Sequence, residues 1–339
     1  MLYATSGRQA EAEKIRTTPL RQPDDPEAEA FRAIVLVGPT AVGKTAVAHQ
    51  IARLTGDDVL CADSMSVYRG MDVGTAKPTT AMRHQVRYFG LDLIEPDRPF
   101  SVGQFYEYCR TLYREGKIRS DHLVVVGGSG LYIKALTHGL DPLPPASAAL
   151  RRRAREIYEA GGVEGLLAEL ERVAPELIPS PRDERNPRRL MRALEIAWQG
   201  VRPPRSWHQA KTRGVVVGLD CPRQLLHQRI ERRVDEMLER GLVEEVRTLR
   251  ERYGRLSPTA ASAIGYAEIS DYLDGRLALE GARARMVSRT RQLAKRQMTW
   301  FRHQEKVVWV SVVPDDDPET TADRILRVLE KHGKAILAV

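Results

Sequence analysis

Five short apolar runs punctuate the chain, at 33–37, 59–62, 123–126, 214–219 and 307–313. They are too short for helices and rich in β-branched residues, and Leu123-Val124-Val125-Val126 contains no polar position, as expected for strands of a parallel sheet covered on both faces. Between them the apolar period lengthens. Residues 46–54, 149–160 and 163–173 read as helices, and a further one runs through Arg188, Arg189 and Arg192 into Ala193-Leu194-Glu195-Ile196. After Cys221-Pro222, apolar residues recur every four positions at Leu226, Ile230, Val234, Leu238 and Leu242, predicting one long core-facing helix. Residues 282–303 predict another, and an amphipathic helix closes the chain beyond Asp315.

Strands alternating with helices define an α/β fold with a parallel sheet flanked by helices. Residues 1–31 are polar, mixed in charge and broken by Pro19, Pro23 and Pro26, so they read as a loose extension. Pro142, Pro144 and Pro145 then mark a change to charged helical texture. The expected organisation is a core of 32–141 plus 206–339, interrupted by a small all-helical insertion at 142–205.

The first strand feeds Gly38-Pro39-Thr40-Ala41-Val42-Gly43-Lys44-Thr45, the spacing of a phosphate loop, with a helix after it. Its backbone N–H groups and the helix N-terminus suit a pyrophosphate, Lys44 adds a point charge, and the Thr45 hydroxyl is a ligand for Mg²⁺. The fold expected is therefore that of the P-loop NTPase-like proteins. Asp63 follows the second strand, where a cap of the next turn and a catalytic base are equally compatible with its position. Lys77, in the Gly-rich loop that follows, offers a second cation for phosphate. The central strand 123–126 ends in Gly127-Gly128-Ser129, whereas ATP-hydrolysing phosphate-loop proteins place an acid there to help hold Mg²⁺.

Composition narrows the classes. No apolar run approaches a membrane span and the first residues hold no signal-like stretch, so a cytoplasmic protein is expected. Cys61, Cys109 and Cys221 are too far apart in sequence to suggest a zinc site. Lys and Arg number 53 against 45 Asp and Glu, a net +8. Much of the excess falls in 282–303, which holds Arg283, Arg285, Arg289, Arg291, Lys295, Arg296 and Arg302 and no acid, a pattern that favours nucleic-acid contact over a solvated face.

The phosphate loop, the run Asp63 to Pro78, Val125 to Tyr132, Asn186 to Ile196, Ala263-Ile264-Gly265-Tyr266 and Arg289 to Arg302 together resemble the tRNA dimethylallyltransferases, over about residues 32 to 311. The resemblance implies transfer of a dimethylallyl group from dimethylallyl diphosphate to N6 of the adenine 3′ of the anticodon, with Mg²⁺. It implies catalysis by Asp63, Lys44 and Thr45, and diphosphate binding by Gly38 to Thr45, Lys77 and Arg192. Contacts to the tRNA anticodon stem-loop are implied for Asp63, Ser64, Met65, Ser66, Ser129, Arg151, Arg188, Arg189, Leu190, Met191, Arg192, Gly265 and Tyr266. Ser66 stands where the family usually has glutamine, and Ser129 where it has threonine. No obligate protein partner is indicated, and a monomer is expected. An adenylate isopentenyltransferase acting on free AMP or ADP needs the loop and Asp63 but not the basic helix; a phosphate-loop kinase or NTPase, or a non-catalytic RNA-binding module, fits fewer of these residues.

Overall fold

The computed structural model describes residues 31–140, 147–179, 185–200, 214–304 and 306–339. Residues 1–30 of the extension and the proposed edges of the insertion lie outside these residues; Phe31, its last residue, is buried in the core. Six parallel strands form the sheet: β1 (Arg32–Val37), β2 (Asp58–Cys61), β3 (Tyr88–Phe89), β4 (Leu123–Val126), β5 (Val216–Asp220) and β6 (Val307–Ser311). Their order is β3-β2-β4-β1-β5-β6, with Val35 of β1 opposite Val125 of β4 on one side and Val216 of β5 on the other. A seventh, β7 (Ala335–Ile336), runs antiparallel beside the start of β1, and Leu337 N–H donates to the Phe31 carbonyl at 2.7 Å. The central strands are buried along nearly their whole length, so an unbroken apolar sequence is what this position requires.

Helices cover the sheet: α1 (Lys44–Thr55), α2 (Thr80–Gln85), α3 (Val102–Arg114) and α4 (Gly130–His138) come from the first half. α5 (Ala148–Val173) and α6 (Pro187–Trp198) belong to the insertion. They bury Leu166, Leu170, Leu190, Ala193 and Leu194 in a core of their own. Within α5 the helix breaks at Gly162, where φ is 63°, so the two helical patterns 149–160 and 163–173 are two arms of one element.

The single long helix expected after Pro222 is a correction. It is two helices, α7 (Arg223–Glu239) and α8 (Leu242–Tyr253), because Gly241 adopts φ 89° and turns the chain. The four-residue register crosses that break by coincidence. The remaining helices are α9 (Pro258–Ala261), α10 (Tyr266–Leu273), α11 (Leu279–Gln304) and α12 (Pro318–His332). Among the described residues no helix is long and apolar enough to cross a membrane.

Candidate active site

The carboxyl ends of β1, β2 and β4 open side by side, at the point where the sheet order turns back, which is where ligands enter open parallel sheets. A cleft of about 710 Å³ lies there, walled by the phosphate loop, Asp63 to Ser66, Gly74 to Ala76, Gly127 to Ser129 and one side of α7 and α11. The loop turns through Ala41 and Gly43, at φ 66° and 105°, before its N–H groups run into α1. Lys44 folds back so that Nζ donates to the Pro39 carbonyl at 2.6 Å. Burial, and then the nearby Arg233 charge, push its amine down to about 7, while Asp63 pulls in the other direction. Lys44 and Asp63 therefore share one electrostatic environment.

Asp63 makes the cap that its position allowed. Its Oδ1 accepts the Met65 N–H at 2.8 Å, capping the turn, and that leaves its second oxygen for chemistry. Ser129 Oγ, at the end of β4, accepts the Ser64 N–H at 3.0 Å and lies 3.2 Å from Ser64 Oγ, tying the ends of β2 and β4 together. A Cβ on Gly127 would run into the Ala62 carbonyl, so this close approach needs glycine where other phosphate-loop proteins carry an acid.

Four residues that sequence reasoning missed complete the walls. Arg229 Nη1 donates to the Val42 carbonyl at 3.1 Å, fastening α7 to the loop, and Arg233, one turn on, faces Lys44 and Asp63. Both flank the apolar stripe Leu226, Ile230, Val234, and two cations at that spacing beside a core stripe were the available signal. Gln297 of α11 accepts the Thr40 N–H at 2.8 Å and donates to the Gly128 carbonyl at 3.0 Å. Glu245 of α8 gathers the wall loop: it accepts the N–H groups of Asp72, Val73 and Gly74 at 2.9, 2.7 and 3.1 Å, and the Tyr266 hydroxyl at 2.6 Å.

Several implied contacts are corrected by this geometry. Lys77 is buried, and its Nζ is occupied by the Tyr68 carbonyl, Asp72 and Asp92, each at 2.6 Å, so it anchors the loop and does not face a diphosphate. Arg192 lies on α6 of the insertion, bonded to Glu195 at 3.1 Å, and is no part of the cleft wall. Leu190 is enclosed in the insertion core. Tyr266 is buried beneath Gly74, its hydroxyl given to Glu245, while Gly265 is buried with its N–H given to Glu268, so neither is presented to an RNA.

The basic helix is also more neutral than its sequence. Arg283 pairs with Asp235, Arg285 with Asp271, Arg289 with the buried Glu268, and Arg291 with Glu231. Lys295 and Arg296 remain exposed, and Arg296 lines the cleft. Arg151, Arg188 and Arg189 are exposed on the insertion, and Met191 is half-buried there.

A parallel sheet with a phosphate loop after β1, a carboxylate just beyond β2 and glycine, not an acid, after β4 defines the class of phosphate-loop proteins. The family model for IPP transferases matches residues 66–304. The chain is 40% identical over 287 residues to a tRNA dimethylallyltransferase of Geobacillus kaustophilus, covering 83% of this chain and 90% of the relative. It is 41% identical over 274 residues to that of Thermus thermophilus, covering 80% and 89%. Among solved structures, the full-length tRNA isopentenylpyrophosphate transferase of Bacillus halodurans superposes with a TM-score of 0.63 at 33% identity, over 89% of this chain and 96% of that one. A eukaryotic dimethylallyltransferase shares the fold, at a TM-score of 0.69 and 24% identity, over 88% and 78%. The chain belongs to the IPP transferase family.

Proposed function

We propose that this chain modifies tRNA in the cytoplasm, transferring a dimethylallyl group from dimethylallyl diphosphate to N6 of the adenine 3′ of the anticodon and releasing diphosphate. The observation that carries this reading is the meeting, in one cleft, of a pyrophosphate cradle and a carboxylate, Asp63, with no acid at the end of β4. In the transfer the N6–C bond forms as the allylic C–O bond breaks. The amine proton passes to Asp63, and the negative charge gathers on the departing diphosphate. Lys44, the loop N–H groups and Arg233 stabilise that charge, and the proximity of Arg233 and Lys44 before binding favours a polyanion between them.

The Thr45 hydroxyl borders the cleft without a protein partner among the described residues, which fits a Mg²⁺ ion that takes most of its ligands from phosphate and water. Such an ion would supply charge neutralisation on the diphosphate. An adenine held in an anticodon loop must be unstacked and extruded to reach the cleft, and Arg296, Lys295 and the exposed arginines of the insertion are candidates to hold the backbone while it is.

The test is transfer of labelled dimethylallyl, with Mg²⁺, to an unmodified anticodon stem-loop and in parallel to AMP, using wild type and Asp63→Ala. Label in RNA alone, lost in the variant while RNA still binds, supports the reading. Label in AMP alone, or ATP hydrolysis with no transfer, overturns it.

A further inference from the structure

The amino-terminal arm of the phosphate loop can hold less anion than its length suggests. Pro39 has no N–H to offer. The N–H of Thr40 is already used, donated to Oε1 of Gln297 from a helix 257 residues further along the chain. The other end of the same amide is fixed as well, since Nε2 donates to the Gly128 carbonyl at 3.0 Å. Its orientation is thus set from both sides, and a Cβ on Gly128 would collide with it, so the glycine is what admits the side chain. What remains for an anion is the carboxyl half of the loop, Ala41 to Thr45, running into the first N–H groups of α1.

We infer that Gln297 is a specificity-determining residue that limits the cradle to two phosphate groups, by filling the loop donor a third would need. Phosphate-loop proteins that hold triphosphates spread their contacts over the loop and balance the extra charge with a metal held partly by a strand-end acid. Here both provisions are withdrawn, one by Gln297 and the other by Gly127 at the end of β4. Gln297 lines the same cleft as Lys44 and Asp63, so its effect falls on the anion site itself. The residue selects for a diphosphate ester and against nucleoside triphosphates, which share the phosphoanhydride chemistry and the Mg²⁺ requirement.

This rests on the reading of the loop as a diphosphate cradle, and the experiment separates the two. Binding of pyrophosphate and of tripolyphosphate, each with Mg²⁺, is measured by calorimetry for wild type, Gln297→Ala and Gln297→Met. The Met variant keeps the length of the side chain while removing both hydrogen bonds. Wild type is expected to prefer pyrophosphate by about tenfold or more, and both variants to narrow that preference by about tenfold, the effect of one regained hydrogen bond to a charged acceptor. A merely loosened loop weakens both anions alike and leaves the ratio where it was. An unchanged ratio in the variants, or a wild type that binds both anions equally, overturns the assignment of Gln297. Failure of wild type to bind pyrophosphate at all removes the cradle reading, and the inference with it.

Discussion

Replacing Glu245 with alanine removes one carboxylate and leaves four donors without their acceptor: the N–H groups of Asp72, Val73 and Gly74, and the Tyr266 hydroxyl. The four are not equivalent. Asp72 is exposed and the next two residues are half-buried, so their N–H groups recover water when the loop loosens. The hydroxyl of Tyr266 sits under Gly74, where a Cβ would lie 2.5 Å from the ring, and water does not reach it without the ring moving. Burial together with Glu245 already pushes that phenol well above its ordinary range. Hydrogen bonds to a charged acceptor contribute about 1.5–3 kcal/mol each, and three that re-solvate lose most of that, so Glu245→Ala is expected to cost about 3 kcal/mol in all. Urea denaturation followed by tryptophan fluorescence reads the loss directly. Tyr266→Phe alone should cost about 1 kcal/mol and add little to Glu245→Ala in the double variant, because both remove the same bond. Losses that add independently, or a Glu245→Ala cost below about 1 kcal/mol, would refute the idea that one carboxylate organises this wall.

Two further predictions concern Lys44 and Lys77. Lys44, lowered to about 7, loses its proton in the folded chain well before it does in the unfolded one, so stability rises with pH between about 7 and the ordinary lysine value near 10.5. A bound diphosphate restores the charge. At pH 8, calorimetry in buffers of different ionisation enthalpy should therefore show uptake of about one proton per pyrophosphate, lost in Lys44→Met, and no uptake in wild type would contradict the placement. Lys77→Met removes the buried cation shared by the Tyr68 carbonyl, Asp72 and Asp92, leaving Asp92 to Arg83, and should cost about 2 kcal/mol of stability, with less than about a twofold change in the KM for dimethylallyl diphosphate. A large rise in KM at unchanged thermal stability would return Lys77 to the diphosphate.

What the sequence made legible was local. The central strands declare themselves because burial on both faces leaves only apolar residues, and the phosphate loop because its geometry needs glycine and lysine at fixed spacing. Asp63 was visible as a strand-end carboxylate, and the structure shows the cap, with Met65 occupying one of its oxygens. The short strands β3 and β7 carry too few residues for any period, and Gly241 divides a helix that an uninterrupted register made look single. The misjudged residues are those whose meaning lies in a distant partner. Lys77 was expected at the diphosphate and Tyr266 at the tRNA until Asp92 and Glu245 stood beside them, and the acids that neutralise Arg283 and Arg291 sit on α7, outside the basic segment. Periodicity reports which face is buried. It carries no record of which side chain meets it there.

The place of β1 has a consequence for how the chain is made. It leads the described residues, yet its partners arrive late: Val125 of β4, Val216 of β5 and, last, Ala335 of β7. A growing chain thus releases β1 long before the strands that flank it, and its central residues stay unpaired until β4 and β5 have been made. Pairing over such separations is slow, and an unpaired strand of Ile34, Val35 and Leu36 invites association with other chains in the meantime. Closure of the sheet centre therefore waits on β4 and, above all, on β5. Cutting the chain after residue 140 keeps the phosphate loop and Asp63 but leaves Val35, Leu36 and Val37 without β5 beside them, and should shift the product toward aggregate.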